Sequence, residues 1–178
     1  MNRTIDKYTT ISTKNGDKGT SRNYSNDIVP KTDLLFEALG SIDELSSMLG
    51  LAYHYSSYQS EIKEIQLDLQ HINSMVATRI DDKNRSRLTL VTSDDITRLE
   101  HIEQTVLEEC SIEPRFVLPG SDSTKEGAYL DVARSISRRT ERVVLRFKET
   151  TERLDLQDAC RYLNRLSDLL FIMARSRD

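Results

Sequence analysis

Apolar residues recur every three or four positions along most of this 178-residue chain, in five separate runs. The first two runs cover 35–52 and 62–76, and the others begin at Ile96, Leu130 and Ala159. This spacing places the apolar side chains of each run on one face of an α-helix. Because the spacing averages about 3.5 residues, neighbouring helices are expected to cross at shallow angles, as in a left-handed bundle. The sequence therefore predicts an all-α fold built as a five-helix bundle.

Local signals indicate where the ordered elements begin and end. The segment Thr92-Ser93-Asp94-Asp95 is typical of a helix N-terminus, because its hydroxyl and carboxylate oxygens accept hydrogen bonds from the first turn. The fourth helix is expected from about Thr124 to Glu149. Residues 1–30 are polar and show no sustained period, so we expect an N-terminal loop segment without strand pairs, followed by a single helical domain over 31–178. The linker 81–87 is expected to be a solvated connection.

Composition restricts the classes of function. Charged residues make up 30% of the chain and the formal net charge is −4, which argues against general nucleic-acid binding. No apolar run is long enough to span a membrane. Cys110 and Cys160 are far apart in sequence and form no metal or disulfide framework, which favours a reducing compartment. We expect the cytoplasm, or the mitochondrial matrix if a transit peptide has been removed.

The fourth helix carries a dense group of arginines: Arg134, Arg138, Arg139, Arg142 and Arg146. Like charges three or four residues apart on a helix repel one another by a few tenths of a kcal/mol per pair, so this density favours a bound polyphosphate. The alternative is a solvated helix face whose arginines pair with Glu141 and Glu149. Arg134, Arg138 and Glu141 share one helix face, which is expected to bind phosphate, and the other three arginines share a face that bridges to a partner helix or subunit.

A second candidate phosphate site is the segment 13–21, which holds two glycines, two lysines and three hydroxyl side chains. Glycine lets backbone N–H groups approach an oxyanion, and lysine adds positive charge. Asp17 is suited to orienting the loop or to holding a metal ion through water. Neither the Walker A spacing nor the dinucleotide-binding spacing of glycines occurs. The same residue types are also typical of an exposed turn, so this segment alone leaves both interpretations open.

Other catalytic chemistries find little support in the residue inventory. His54, His71 and His101 do not recur at metal-ligand spacing, and Asp68 with His71 forms a single acidic-x-x-His step where a di-iron bundle needs two. No Ser/His/Asp set is placed by a recognised motif. An enzyme built from these residues is expected to position its substrates and neutralise charge without a dedicated general base.

Six stretches, taken in order along the chain, are far more specific together than any one of them alone. They are TKNGDKGT at 13–20, VPK at 29–31, FEALGSIDELSS at 36–47, FVLPG at 116–120, ARSISRRTER at 133–142 and YLNRLSDLLF at 162–171. In these stretches the chain resembles the PduO-type ATP:cob(I)alamin adenosyltransferases. The resemblance implies a homotrimer of ferritin-like, up-down five-helix bundles with active sites between adjacent subunits. It also implies transfer of the 5′-deoxyadenosyl group of ATP to the cobalt of cob(I)alamin, which gives adenosylcobalamin and triphosphate.

The resemblance further implies roles for individual residues. The expected ATP contacts are Thr13, Gly16, Asp17, Lys18, Gly19, Lys31, Arg138, Glu141 and Asn164, with Mg²⁺ bound through the phosphates and no metal ligand supplied by the protein alone. Asp43 and Arg134 match a pair that links neighbouring subunits beside the corrinoid. Phe116 matches a phenylalanine that occupies the lower face of the corrin, whereas the residues around it, taken without the resemblance, favour a side chain that plugs the end of the bundle. Expected partners are a reductase and an adenosylcobalamin-dependent mutase or dehydratase.

The chain departs from the family pattern at two places that border the expected corrinoid pocket. Asp131 stands where the family commonly has a histidine, and the segment 119–127 after Phe116 is more polar and longer. The alternative function is therefore a non-catalytic carrier or regulator of the same fold that binds ATP and corrinoid.

Overall fold

Five long α-helices form the body of the molecule. The computed structural model describes residues 7–178, apart from the side chains of Thr9 and Thr10, so the first six residues of the predicted N-terminal segment lie outside it. A short helix α1 (Tyr8–Ile11) precedes the strands β1 (Thr20–Arg22) and β2 (Ile28–Pro30). The long helices are α2 (Leu34–Tyr53), α3 (Gln59–Ala77), α4 (Ser93–Glu109), α5 (Lys125–Thr150) and α6 (Gln157–Arg175). Within 7–178, no helix combines the length and apolar character needed to cross a membrane.

The helices pack in the order α3, α2, α5, α6, α4, so that α2 and α5 are neighbours although two helices separate them in sequence. The buried residues of α2 are Leu35, Ala38, Ile42, Leu45, Leu49 and Ala52, which is the apolar face that the period predicts. The corresponding faces of α3, α5 and α6 are also buried. Since each fully buried aliphatic side chain contributes about 1.5–3 kcal/mol, these faces hold the bundle together. The prediction of an all-α, five-helix fold is confirmed.

Helix starts follow the predicted local chemistry. Thr92 caps α4 in a capping box, in which Asp95 accepts a hydrogen bond from the backbone of Thr92. Thr124 caps α5 through a 3.0 Å hydrogen bond from the backbone N–H of Gly127. Gly127 also allows α5 and α6 to approach closely, since a Cβ there would lie 3.1 Å from the carbonyl oxygen of Ala174. These contacts fix the start of the helix that carries the arginines.

The N-terminal segment differs from the prediction, because β1 and β2 form an antiparallel hairpin in which Ser21 lies opposite Val29. The hairpin is tied to the end of α3. The backbone N–H of Tyr24 donates to the carbonyl of Ala77 at 3.1 Å, and Arg79 pairs with Asp27 at 3.0 Å. Strands of three residues are too short to show a period of two, so the sequence pattern could not reveal them.

The linker 81–87 is also less solvated than predicted. Arg85 is mostly buried and pairs with Asp155. Arg85 and Arg153 both donate hydrogen bonds to the carbonyl oxygen of Met75, at 3.2 and 2.8 Å. They satisfy a carbonyl in the last turn of α3 that has no partner inside the helix. The linker therefore closes one end of the bundle.

Candidate active site

Two of the five arginines of α5 bridge to α2. Arg139 pairs with Glu44, and Arg146 pairs with Glu37 at 2.5 Å. These pairs confirm that this helix face bridges to a partner helix, and they use glutamates other than the two that the sequence interpretation considered. All four side chains are about half exposed, so each pair contributes at most about 1 kcal/mol to stability.

The opposite side of α5 carries the predicted phosphate-binding face. Arg138 is exposed, and it forms no hydrogen bond or ion pair with any residue of the described chain. One turn further on, Oε1 of Glu141 accepts a 3.0 Å hydrogen bond from Nδ2 of Asn164 on α6. Glu141 and Asn164 line a cleft of about 280 Å³ between α4, α5 and α6. The structure therefore brings Glu141 and Asn164 together and leaves the guanidinium of Arg138 available to a ligand.

The N-terminal segment forms a second cleft, of about 440 Å³, beside the hairpin. Its lining residues are Thr13, Asn15, Gly16, Thr20, Ser21, Arg22 and Ile28. A Cβ at Gly16 would lie only 2.6 Å from Nζ of Lys31, so the absence of a side chain lets this ammonium approach the loop backbone. Gly19 has φ +77° and accepts a 2.8 Å hydrogen bond from the backbone of Lys31. An ammonium group held beside a glycine turn is suited to binding an anion.

Sequence reasoning assigned some residues of this cleft and missed others. Asp17 and Lys18 are exposed in the turn between Gly16 and Gly19, as expected of ligand contacts. Asn15 and Arg22 also line the cleft but were not predicted. Arg22 faces it because it lies on β1, and β1 itself left no readable period in the sequence.

The two clefts are separate within one chain. Across residues 7–178, no hydrogen bond or ion pair joins the loop residues Thr13–Gly19 to Arg138, Glu141 or Asn164. The nucleotide contacts predicted from the sequence therefore fall into two groups, one beside the hairpin and one beside α5 and α6.

Asp43 and Arg134 also lie apart in a single chain. Asp43 is exposed and lines a groove of about 350 Å³ between α2 and α3. Arg134 lies on the side of α5 that faces α6, where its Nε atom donates to Asp131 at 3.2 Å. The two residues predicted to pair thus occupy different sides of the protomer.

Phe116 lies in the segment between α4 and α5, and 87% of its surface is exposed. It does not plug the end of the bundle, so that interpretation is wrong. The preceding residues of this segment contact a cleft of about 260 Å³ that also includes Arg175 and Asp178. An exposed phenylalanine beside a charged cleft is available for contact with a ligand or with another subunit.

Burial raises the pKa of several ionisable groups of the bundle, and one of them, Cys160, lines the cleft at Glu141 and Asn164. Burial raises the pKa of Glu103 on α4 to about 7, against the opposing charge of Arg165. Burial also raises the pKa of Asp68, which accepts hydrogen bonds from Tyr162 at 2.7 Å and from Arg98 at 2.5 Å. Burial raises the pKa of the Cys160 thiol to about 11, so this thiol stays protonated at neutral pH.

Comparison with known proteins identifies the family. The sequence profile described as Cobalamin adenosyltransferase matches residues 11–177. The chain belongs to this family. It is 36% identical to the corrinoid adenosyltransferase of Citrobacter freundii over 169 residues, which is 93% of each chain. It is 35% identical to the human corrinoid adenosyltransferase over 173 residues, which is 93% of this chain and 67% of the human protein.

Solved structures of the family share the fold. A phenylalanine-to-alanine variant of the PduO-type ATP:corrinoid adenosyltransferase of Lactobacillus reuteri, complexed with cobalamin and ATP, has a TM-score of 0.80 and 32% identity. The alignment covers 93% of this chain and 92% of that one. An arginine-to-lysine variant of the same enzyme, complexed with ATP, has a TM-score of 0.79. These likenesses confirm the predicted family and the predicted bundle.

Proposed function

We propose that this chain transfers the 5′-deoxyadenosyl group of ATP to the cobalt of cob(I)alamin and releases triphosphate. The observation that carries the proposal is the match, over 93% of the chain, to the L. reuteri enzyme that is complexed with cobalamin and ATP together. The anion-binding character of the two clefts supports it. Arg138 is exposed and unpaired in the described structure, and Lys31 is held against a glycine turn, as a triphosphate ligand requires.

The reaction needs no proton transfer. The cobalt of cob(I)alamin supplies the electron pair, a cobalt–carbon bond forms at C5′, and the bond from C5′ to the triphosphate oxygen breaks. Lys18, Lys31 and Arg138 hold the leaving triphosphate and orient C5′ toward the cobalt. Mg²⁺ bound through the phosphates neutralises part of their charge, Asp17 is suited to holding the ion through water, and Glu141 contacts the nucleotide. Thr13, Gly16, Gly19 and Asn164 complete the proposed nucleotide contacts.

We also propose that the active site forms between subunits of a homotrimer. In one protomer the cleft beside the hairpin and the cleft at Glu141 and Asn164 have no lining residue in common, so a single ATP is contacted by the first cleft of one subunit and the second cleft of its neighbour. The placement of Asp43 and Arg134 on different sides of the protomer supports the same assembly, in which Asp43 of one subunit pairs with Arg134 of the next.

Phe116 is proposed to occupy the lower face of the corrin. Its exposed ring carries no polar atom, so it displaces the axial base without replacing that ligand. Cob(II)alamin that has lost its axial ligand is easier to reduce, and the required cob(I)alamin then forms more readily.

The test is a reaction of the protein with ATP, Mg²⁺, cob(II)alamin and a strong reductant. We expect light-sensitive adenosylcobalamin, detected by its absorbance, and a stoichiometric amount of triphosphate. Binding of ATP and corrinoid without either product would instead indicate a carrier or regulator. This alternative function is suggested by the polar segment 119–127, which departs from the family pattern.

The proposed reaction also implies partner enzymes and a cellular compartment. A reductase must supply the electron for cob(I)alamin, and an adenosylcobalamin-dependent mutase or dehydratase must consume the product. Cys110 and Cys160 are free thiols, which supports a reducing compartment. We propose the cytoplasm, with the mitochondrial matrix as the alternative.

A further inference from the structure

Asp131 is a buried carboxylate at the centre of a charged network between α5 and α6. Only 1% of its surface is exposed. Its Oδ2 atom accepts a 2.7 Å hydrogen bond from Nη2 of Arg175, and its Oδ1 atom accepts hydrogen bonds from Nη1 of Arg175 at 3.4 Å and from Nε of Arg134 at 3.2 Å. Both carboxylate oxygens are therefore held by guanidinium groups.

The network is balanced in charge. Arg175, whose side chain is 5% exposed, also donates from Nε to Asp178 at 2.6 Å, so two arginines face two aspartates. A buried charge is tolerated when it is paired and hydrogen-bonded in this way, and removing one partner leaves the others uncompensated. Asp131 is thus firmly fixed in place.

Arg134 is held by one edge only. Its Nε atom is bound to Asp131, whereas its Nη atoms have no partner among residues 7–178, and its side chain is 26% exposed. A guanidinium anchored at Nε presents both Nη atoms in a defined direction, which lowers the entropy lost when they bind a second carboxylate or a polar ligand. Asp131 therefore determines where the free edge of Arg134 points.

The same network reaches the segment that carries Phe116. Arg175 and Asp178 line the cleft of about 260 Å³ together with residues 111–113, Arg115 and Val117. One charged cluster therefore lies beside both elements that are proposed to handle the corrinoid, namely Arg134 and the Phe116 segment.

We propose that Asp131, held by Arg175, is a positioning residue for the corrinoid side of the active site and acts through Arg134. This role rests on the proposed function, because it assumes that Arg134 lies beside the corrinoid. Asp131 itself is too deeply buried to touch a substrate, so its effect is confined to the orientation of Arg134.

The first test is the substitution Asp131→Asn, which keeps the shape of the side chain and removes its charge. Titration of cob(II)alamin into the ATP-loaded protein, followed by absorbance, is expected to show roughly tenfold weaker binding, the factor typical of weakening one charge-assisted contact. The KM for cob(I)alamin is expected to rise in parallel, with the KM for ATP unchanged. Asp81→Asn is the matched control, because Asp81 pairs with Arg79 on the surface, outside the network, and should leave both constants unchanged.

The second test is a double-mutant cycle with Arg134→Ala. If Asp131 acts through Arg134, then Asp131→Asn should cause no further loss of cob(II)alamin affinity in the Arg134→Ala background. Additive losses would overturn the proposal. So would a lowered melting temperature with unchanged corrinoid affinity, since Asp131 would then serve stability alone.

Two other results must be distinguished from these: a variant that does not fold, and a wild-type protein that binds corrinoid without forming product. If Asp131→Asn does not fold, Arg175→Lys provides the same test, because it keeps the buried charge and loses the two-pronged contact with Asp131; normal corrinoid affinity in that variant would contradict the proposal. Wild-type protein that binds cob(II)alamin but forms no adenosylcobalamin would refute the proposed function, while the binding cycle would still report on Asp131.

Discussion

Glu103 offers a direct test of how burial affects this bundle. It lies on α4, and its Oε1 atom is buried without a hydrogen-bond partner in the described part of the chain. Burial raises its pKa to about 7, compared with about 4.3 in an unfolded chain. The neutral form is therefore favoured in the folded protein. The neutral Glu103 carboxyl therefore makes its full contribution to the free energy of unfolding below about pH 4. This contribution is lost as the pH rises through about 7.

The size of the effect follows from this pKa difference. At 1.36 kcal/mol per pKa unit the upper limit is about 4 kcal/mol, and partial solvent exposure and screening reduce it to about 1–2 kcal/mol. Glutamine has the same shape and cannot ionise. Glu103→Gln is therefore expected to raise the free energy of unfolding by about 1–2 kcal/mol at about pH 8.5 and to change it by less than about 0.5 kcal/mol at about pH 5.

The assay is urea unfolding of wild type and variant at both pH values and at one protein concentration. Glu108→Gln serves as the control, because Glu108 is exposed on the same helix and should show no pH-dependent difference. Burial would be refuted as the cause of the raised pKa if Glu103→Gln did not raise the free energy of unfolding at the higher pH. An equal increase at both pH values would refute it as well.

Three further substitutions test the site and the core. Arg138→Ala is expected to lower kcat by roughly 100-fold or more, the effect of losing one transition-state donor, while size-exclusion chromatography shows an unchanged oligomer; normal turnover would remove Arg138 from the site. Gly16→Ala is expected to raise the KM for ATP several-fold without lowering the melting temperature, because the new Cβ displaces Nζ of Lys31, and an unchanged KM would argue against contact between Lys31 and ATP. Tyr162→Phe removes the hydroxyl that donates to buried Asp68, so chemical denaturation is expected to show a loss of about 1–2 kcal/mol; equal stability would mean that Asp68 finds another donor.

Sequence reasoning succeeded where the cause is local. The apolar period of α2 and the capping box at Thr92 depend on residues within a few positions of one another, so both were predicted and both are observed. The sequence also predicted a turn at Gly16 and Gly19, which the structure shows, whereas its role in binding phosphate stays a prediction that rests on the family resemblance.

Sequence reasoning failed where the partners are distant. Arg85 and Asp155 are 70 residues apart, and Asp131 and Arg175 are 44 residues apart. Nothing in either local segment indicates such a pair, because each forms only after the connecting elements have packed. From the sequence, Asp131 was therefore only a departure from the family pattern. The structure shows that both of its carboxylate oxygens are paired with arginines.

The arginines of α5 show most clearly which properties the sequence determined and which the tertiary structure decided. The helical period alone determined that Arg138 and Arg139 lie on different faces, since the geometry of a helix is set by its own backbone. Tertiary structure decided which arginines are neutralised, because Arg139 and Arg146 meet Glu44 and Glu37 only when α2 packs against α5, across 95 and 109 residues of chain. The choice of neighbouring helix depends on burial of the whole core, and it leaves Arg138 exposed and without a partner in residues 7–178.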